Sequence, residues 1–320
     1  MSKTREHEDE ARAPVDHISL KSMIQNLWSG KKTISFTTFA FLLASVWYSL
    51  SLPNVYSTFA ILSVNADQAS AGGLSRLAQQ YGGLARLAGL DVGASTPQAD
   101  KGKVALKKMQ SFDFFNDSIY QEVVVDLFSV KGWDAVTGVL EYKPEVFDRE
   151  SGTWIRQVAP PKTPKPSAQE AFKVFSGLFS ANRDRLSGFI SVNVSAPSPS
   201  LAREWGNLVI SQINETIRKS DIKKAEDSIV FLQEQRAKTD ISNLEGVFAR
   251  LIEEQTKTIM LANVSKDYIF EVIERPVAPE QKSGPFRAQI CFLGAFLGML
   301  FGMLVVLVKE YLGKEAKIKS

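Results

Sequence analysis

Two uncharged apolar runs, one near each end of the chain, constrain its fold more than any other feature. They cover residues 33–52 and 288–308. A helix rises about 1.5 Å per residue, so each run reaches about 30 Å, which is enough to cross the hydrocarbon core of a bilayer. We therefore predict a transmembrane helix at each of the two positions.

The N-terminal run has two other interpretations, a buried core helix and a cleaved signal peptide. A signal peptide seldom carries a polar leader of about thirty residues before its apolar segment. No small-x-small cleavage site directly follows Leu52. The run therefore favours a membrane anchor.

Basic residues near the two runs predict the orientation of the chain. Lysines precede the first run and follow the second, namely Lys21, Lys31, Lys32, Lys309, Lys314, Lys317 and Lys319. Because basic side chains favour the cytoplasmic end of a span, we expect cytoplasmic tails at residues 1–32 and 309–320. Residues 53–287 are then expected on the outer side of the membrane.

The residue types of this middle region exclude several classes of site. The chain has 2 histidines, His7 and His17, and 1 cysteine, Cys291, all outside residues 53–287. Most zinc sites and the histidine-based catalytic triads and dyads are therefore excluded there. The sequence has no nucleotide-binding glycine motif. Its net charge of +3 is too small to indicate nucleic acid as a partner. We expect no catalytic, cofactor or metal site.

Hydrophobic periodicity predicts both strands and helices between the spans. Strands are expected at residues 55–64, 186–194 and 267–274, and helices at 98–130, 167–179, 199–238 and 243–261. Residues 131–166 contain turn glycines and a proline run, and they predict connections only. Residues 73–90 repeat a Gly-Leu-x-Arg-Leu-Ala pattern, which predicts a short helix pair packed on its own core or on a neighbour.

These elements predict an α+β membrane protein whose first and last strands adjoin the spans. The two strands could pair and form an α/β base near the membrane. The long helical region of about 199–262 would protrude from that base, as a kinked rod or as a hairpin. Its apolar stripes indicate either core or an interchain coiled-coil seam.

The approach to the second span and the span itself carry the two candidate sites. A proline-rich segment precedes the span and contains Pro276, Pro279, Ser283, Gly284, Pro285 and Arg287. Within the span, Gly294, Gly298 and Gly302 recur every four residues, as in small-xxx-small faces where two helices approach closely. The other interpretation is that the lipid-embedded helix merely tolerates these glycines.

Two spans, a long helical middle and a proline-rich segment before a glycine-bearing second span resemble the polysaccharide co-polymerases of the Wzz chain-length determinant type. The motif is Pro276-x-x-Pro279, then Ser283-Gly284-Pro285, then a basic residue, then G-x-x-x-G from Gly294. Residues 73–90 are also similar to that family. In this chain Gly284 separates the serine from the proline, and Phe286 precedes the basic Arg287. Without a nucleotide-binding motif or a tyrosine-rich tail, the chain resembles the kinase-less branch associated with O-antigen.

The resemblance implies a non-catalytic regulator of the modal chain length of a lipid-linked polysaccharide, the O-antigen of lipopolysaccharide. It implies a location in the bacterial inner membrane, with both termini cytoplasmic and residues 53–287 forming a periplasmic domain. The implied partners are further copies in a closed ring, the O-antigen polymerase and the bilayer, with the growing polysaccharide as an additional candidate. The glycines could then face the first span, another subunit or the polymerase. The alternative function is an adaptor or scaffold of an inner-membrane secretion or export system.

Overall fold

The computed structural model describes residue 28 and residues 30–65, 97–238 and 242–318. The helix pair predicted at residues 73–90 and most of the N-terminal tail lie outside these ranges. The chain divides into two compact units. One unit consists of Met1–Leu52 and Pro285–Ser320, and the other of Pro53–Gly284.

The helices and strands are numbered here in chain order. The helices are α1 (Lys31–Ser51), α2 (Pro97–Met109), α3 (Phe112–Phe114), α4 (Tyr120–Ser129), α5 (Ala168–Leu178), α6 (Pro199–Lys238), α7 (Ser242–Val264) and α8 (Arg287–Ile318), and a π-helical turn at Phe115–Ile119 joins α3 to α4. The strands are β1 (Tyr56–Val64), β2 (Val130–Trp133), β3 (Leu140–Tyr142), β4 (Phe147–Asp148), β5 (Thr153–Trp154), β6 (Phe179–Arg183), β7 (Ile190–Ala196) and β8 (Phe270–Glu274).

The first unit is a pair of apolar helices, α1 and α8, that pack against each other. Lys31–Ser51 and Arg287–Lys309 are both long and apolar enough to cross a membrane. Their outward faces carry large apolar side chains such as Phe36 and Phe292, the latter 77% exposed. An apolar surface of this extent is unfavourable in water, so lipid is its natural surrounding.

The second unit is built on an antiparallel sheet with strand order β6-β7-β1-β8. Strand β1 lies in the interior of the sheet and alternates buried with outward side chains, burying Ala60 and Leu62. The predicted pairing of the strands that adjoin the two spans is confirmed, because β1 pairs with β8 through a register shift between Ile61 and Leu62. Mixed helix and sheet with two candidate membrane helices is the predicted fold class, which is therefore confirmed.

Helices cover one face of the sheet and enclose an aromatic core. Helices α2, α5 and α6 all contact the sheet. Phe115 packs against Phe172 and Phe175, and Phe175 also meets Trp205 of α6, with ring centroids 5.1 to 6.1 Å apart. Burying large rings of this kind supplies much of the driving force for folding.

Helix α6 has 40 residues and begins where the sequence predicts. The Ser198 Oγ accepts a hydrogen bond from the Leu201 N–H at 3.1 Å, which satisfies one of the free donors of the first turn. Helix α7 packs back along α6, and Tyr268, just beyond α7, reaches Asp221 in the middle of α6. The region of 199–262 is thus a hairpin and not a single rod.

Helix α5 also begins as predicted. The Ser167 Oγ accepts a hydrogen bond from the Glu170 N–H at 3.2 Å.

Three predictions about strands were wrong. Residues 131–166, predicted as connections, contain the hairpins β2–β3 and β4–β5. The strand predicted at 186–194 begins only at Ile190, because a turn at Asp184–Gly188 precedes it and pairs β7 with the unpredicted strand β6. Similarly, the last strand begins at Phe270 and not at residue 267.

Candidate functional site

The three glycines of α8 lie directly against α1. A Cβ atom added to Gly298 would stand 2.7 Å from the Phe41 Cβ and 2.9 Å from the Thr38 Cα. At Gly302 an added Cβ would overlap the Thr37 side chain and lie 2.9 Å from the Ile34 Cα. Any side chain at these positions would force the helices apart. Of the partners that the sequence leaves open, the first span is the one in contact.

Gly294 completes the row, since an added Cβ there would overlap the Ser45 side chain. A further close contact was not predicted from the sequence: an added Cβ at Gly30 would stand 2.5 Å from Val306 Cγ2. Gly30 lies four residues before Ile34, which is the spacing that places it on the same helix face. That spacing could have identified it.

Three hydroxyl groups along this contact bond to their own helix. Thr37 Oγ1 and Thr38 Oγ1 donate to the Ile34 carbonyl at 2.9 and 2.8 Å, and Ser45 Oγ donates to the Leu42 carbonyl at 2.9 Å. Their polar atoms are satisfied without the partner helix. Close packing of small residues therefore holds this part of the helix pair together, as is common in lipid.

The beginning of the proline-rich segment packs on the helix-covered side of the sheet. Pro276 is buried, and its ring lies so close to Gly206 of α6 that an added Cβ there would stand 3.0 Å away. Thr58 Oγ1 donates a hydrogen bond to the Val277 carbonyl at 2.7 Å. Pro276 is therefore a packing residue, and Gly206 is small because the proline needs its space.

The end of the segment is bound to the residues that lead into β1. The Ser283 N–H donates to the Val55 carbonyl at 2.8 Å, and the Val55 N–H donates to the Gly284 carbonyl at 3.0 Å. The Ser283 Oγ in turn accepts from the Ser57 N–H at 3.0 Å. These bonds fix the chain where it leaves the second unit. Pro279 is half-buried in the same unit, whereas Pro285 and Arg287 belong to the helix-pair unit and are half-buried there.

Asn214 is a buried polar residue that the sequence analysis missed. It is 4% exposed, and its Oδ1 accepts hydrogen bonds from the Ile269 and Phe270 N–H groups, both at 2.9 Å. Its Nδ2 donates to the Phe270 carbonyl at 3.0 Å. The side chain thus forms the hydrogen bonds of the backbone groups at the start of β8. For this reason the strand begins at Phe270 and not at residue 267. The available signal was its helical spacing, four residues after Ile210 and three before Ile217, which places it on the apolar stripe of α6.

A second cluster of polar side chains links the chain just before β8 to α6 and α2. The Tyr268 hydroxyl donates to Asp221 Oδ2 at 3.1 Å, and Lys101 Nζ lies 3.4 Å from the same oxygen. Burial raises the pKa of the Tyr268 phenol, so it stays protonated and acts as a donor. Among the described residues no group of three or more histidine, cysteine, aspartate or glutamate side chains is arranged to hold a metal ion.

Comparison with curated proteins gives no match. Among solved structures, the chain is similar to a full-length bacterial polysaccharide co-polymerase, with 13% identity, a TM-score of 0.38 and coverage of 92% of this chain and 99% of that chain. It is also similar to a fragment of WzzB, a polysaccharide co-polymerase from Salmonella Typhimurium, with 12% identity, a TM-score of 0.31 and coverage of 72% of this chain and 100% of that fragment.

A family model described as Wzz, chain length determinant protein, matches residues 16–105. The matched segment includes the first span α1, the whole of β1 and most of α2. The match confirms, over residues 16–105, the resemblance seen in the sequence.

Proposed function

We propose that this protein sets the modal chain length of a lipid-linked polysaccharide, the O-antigen of lipopolysaccharide. The observation that carries the proposal is the match of residues 16–105 to the chain length determinant family. The protein acts on the polymerase as a non-catalytic partner and makes or breaks no glycosidic bond itself.

The proposed location is the bacterial inner membrane, with both termini in the cytoplasm and residues 53–287 in the periplasm. The lipid-compatible surfaces of α1 and α8 support the membrane location. Lys31 and Lys32 at the start of α1 and the lysines after residue 308 support the orientation.

The proposed working form is a ring of identical subunits. Apolar side chains on the helical hairpin support it: Val230 on α6, and Val247 and Met260 on α7, are each at least half exposed in the single chain. A second copy that covers them would remove this apolar surface from water.

Deletion of the gene, followed by gel electrophoresis of the lipopolysaccharide, tests the function. We expect the modal band to collapse into an unregulated ladder, and expression of the wild-type chain to restore it. An unchanged ladder would contradict the proposal and leave the alternative, an adaptor or scaffold of an export system, as the better one. A complete loss of polymer would indicate an enzymatic role instead.

A further inference from the structure

One face of the central sheet carries no helix in the described part of the chain, and we call it the open face. It is formed by the outward side chains of three adjacent strands. They are Ser180 and Asn182 of β6, Ser191, Asn193 and Ser195 of β7, and Ser57, Phe59 and Ile61 of β1. The alternate residues of these strands, such as Ala60, Val192 and Ala181, are buried under the helices.

The strand register arranges the open face in rows. Phe59 lies opposite Asn193, which lies opposite Ser180. In the next row Ile61 lies opposite Ser191, which lies opposite Asn182. Residues paired across antiparallel strands share a face and stand about 5 Å apart. An aromatic ring therefore has an amide beside it, a hydroxyl one strand further along the same row, and a second amide in the next row.

These side chains are accessible and have polar atoms to offer. Phe59 is 55% exposed, and Asn182, Asn193 and Ser191 are exposed as well. No hydrogen bond to another described residue involves the side chains of Asn182, Asn193, Ser180 or Ser191. Only at the end of the face do two hydroxyls, Ser57 and Ser195, bond to each other, at 2.8 Å.

The chemistry of the open face points to a neutral, hydroxyl-rich ligand. None of its eight side chains is charged, and the charged residues of the adjoining strand β8 are Glu271 and Glu274, which pair with Ser63 and Ile61. The face therefore offers nothing to a phosphate or another anion, which would need arginine or lysine. An amide supplies donors and acceptors together, and so does a hydroxyl. Sugar hydroxyls require both, and the apolar C–H face of a sugar ring packs on an aromatic ring.

The size of the face argues against a protein partner. Strands stand about 4.8 Å apart and rise about 3.4 Å per residue, so the eight residues cover about 200 Å². A stable protein interface buries about 800 Å² per partner around an apolar centre. The open face is smaller and has only Phe59 and Ile61 as apolar members. The area and polarity of the open face fit a few consecutive sugar rings better than they fit a protein.

We infer that the open face binds neutral sugar units of a glycan chain, with Phe59 under one ring, the Asn193 amide bonded to hydroxyls of that ring, and the Asn182 amide bonded to hydroxyls of the next unit. This inference rests on the proposed function, in which a polysaccharide is the regulated product. It adds a direct contact between this chain and the sugar.

Binding of polysaccharide to the full-length protein in detergent tests the inference. The probe is the O-polysaccharide of the source bacterium, freed from lipid A by mild acid and titrated calorimetrically. Phe59→Ala removes the ring on which a sugar unit packs and is expected to weaken binding roughly tenfold, which is about 1.4 kcal/mol. The matched control is Phe231→Ala on α6, which removes an equally exposed ring, 59% against 55%, and is expected to leave binding unchanged.

A second variant, Asn182→Ala with Asn193→Ala, removes only exposed amides and is also expected to weaken binding by tenfold or more. If Phe59→Ala does not fold, as judged by circular dichroism and size-exclusion chromatography, this double variant alone tests the inference. Absence of wild-type binding, unchanged binding by the folded variants, or equal binding of the polyanion heparin overturns the inference. A modal band that depends on the gene, without detectable polysaccharide binding, overturns only the inference. An unchanged lipopolysaccharide ladder after gene deletion overturns the proposed function.

Discussion

At the scale of single residues, two polar side chains of the second unit, one buried and one half-buried, each form several hydrogen bonds. Asn214 satisfies three backbone groups at the start of β8. Arg156 binds the carboxylate of Glu170 through two nitrogens and also donates from Nε to the Pro164 carbonyl at 2.7 Å. Each connects a segment of irregular chain to a helix, so each can be tested by one substitution.

Replacing Asn214 by alanine should destabilise the protein by about 2–4 kcal/mol. The change leaves two N–H groups and one carbonyl buried without partners, and each such loss is costly. Denaturant unfolding of the full-length protein in detergent measures the effect. Asn263→Ala, at an exposed position of α7, is the control and should change stability by less than about 0.5 kcal/mol. Equal stability of the two variants would contradict the role of Asn214.

Glu170→Gln should reduce the change of the free energy of unfolding with pH at the acid end of the range. The hydrogen bonds from Arg156 hold the pKa of the Glu170 carboxyl below its usual range, and the charge of Lys162 acts in the same direction. A depressed folded-state pKa stabilises the fold above the unfolded glutamate value of about 4.3, and that contribution is lost as pH falls through the folded value.

We therefore expect the wild type to exceed Glu170→Gln in stability by about 1–2 kcal/mol near neutral pH, with the difference shrinking below about pH 4. Unfolding curves from pH 3 to 8 measure it. Glu122→Gln, at an exposed position of α4, is the control and should follow the wild type. A difference that stays constant with pH would show that the carboxylate charge is not responsible.

At the scale of elements, the contact between α1 and α8 depends on the absence of side chains at three positions. Gly298→Leu should separate the helices and shift the chain-length distribution while expression stays unchanged. Overpacking of this kind costs about 1–3 kcal/mol, and here the added atoms would meet the Thr38 backbone. The lipopolysaccharide gel of the complemented deletion strain measures the shift.

The control for this change is Leu304→Phe, which adds volume on the exposed side of α8 and should preserve the modal band. If the double variant Gly294→Leu/Gly298→Leu also preserves it, the glycines are only tolerated and their packing has no part in the function.

The elements also show what the sequence could and could not predict. Helix α6 was predictable because Ser198 and Pro199 mark its start and no proline follows within it. The hairpins were missed although three turns share one pattern, Asp-x-x-Ser/Thr-Gly, ending at Gly138, Gly152 and Gly188 with φ of 70°, 66° and 77°. In each turn the aspartate accepts the backbone N–H two residues on.

This repeated pattern could have located the three turns, since each combines an aspartate-bonded turn with a glycine in the left-handed region. The candidate sites divide in the same way. The glycine spacing in the second span is visible in the sequence. The partners of Asn214 are not, because they lie 55 and 56 residues further along the chain and only tertiary structure brings them to it.

At the scale of the whole molecule, the proposed ring makes a prediction about mass. Light scattering of the purified full-length protein should give a multiple of the chain mass in several detergents. Val247→Asp, which places a charge on a half-exposed apolar position of α7, should reduce that multiple because it would bury an unpaired charge between copies. Glu226→Asp, on the polar side of α6, should not. A monomer in every detergent would count against the ring.

The bonds between Val55 and residues 283–284 have a consequence for how this chain can be rearranged. Residues 53–284 form a compact unit whose two ends are held side by side by hydrogen bonds between Val55 and residues 283–284. A unit whose two ends are adjacent can be inserted into another protein without distorting that protein's fold. The whole segment can therefore be exchanged between relatives at Pro53 and Gly284. Exchanging this segment without the two apolar helices, or the helices without the segment, would show which of them contains the determinants of polymer length.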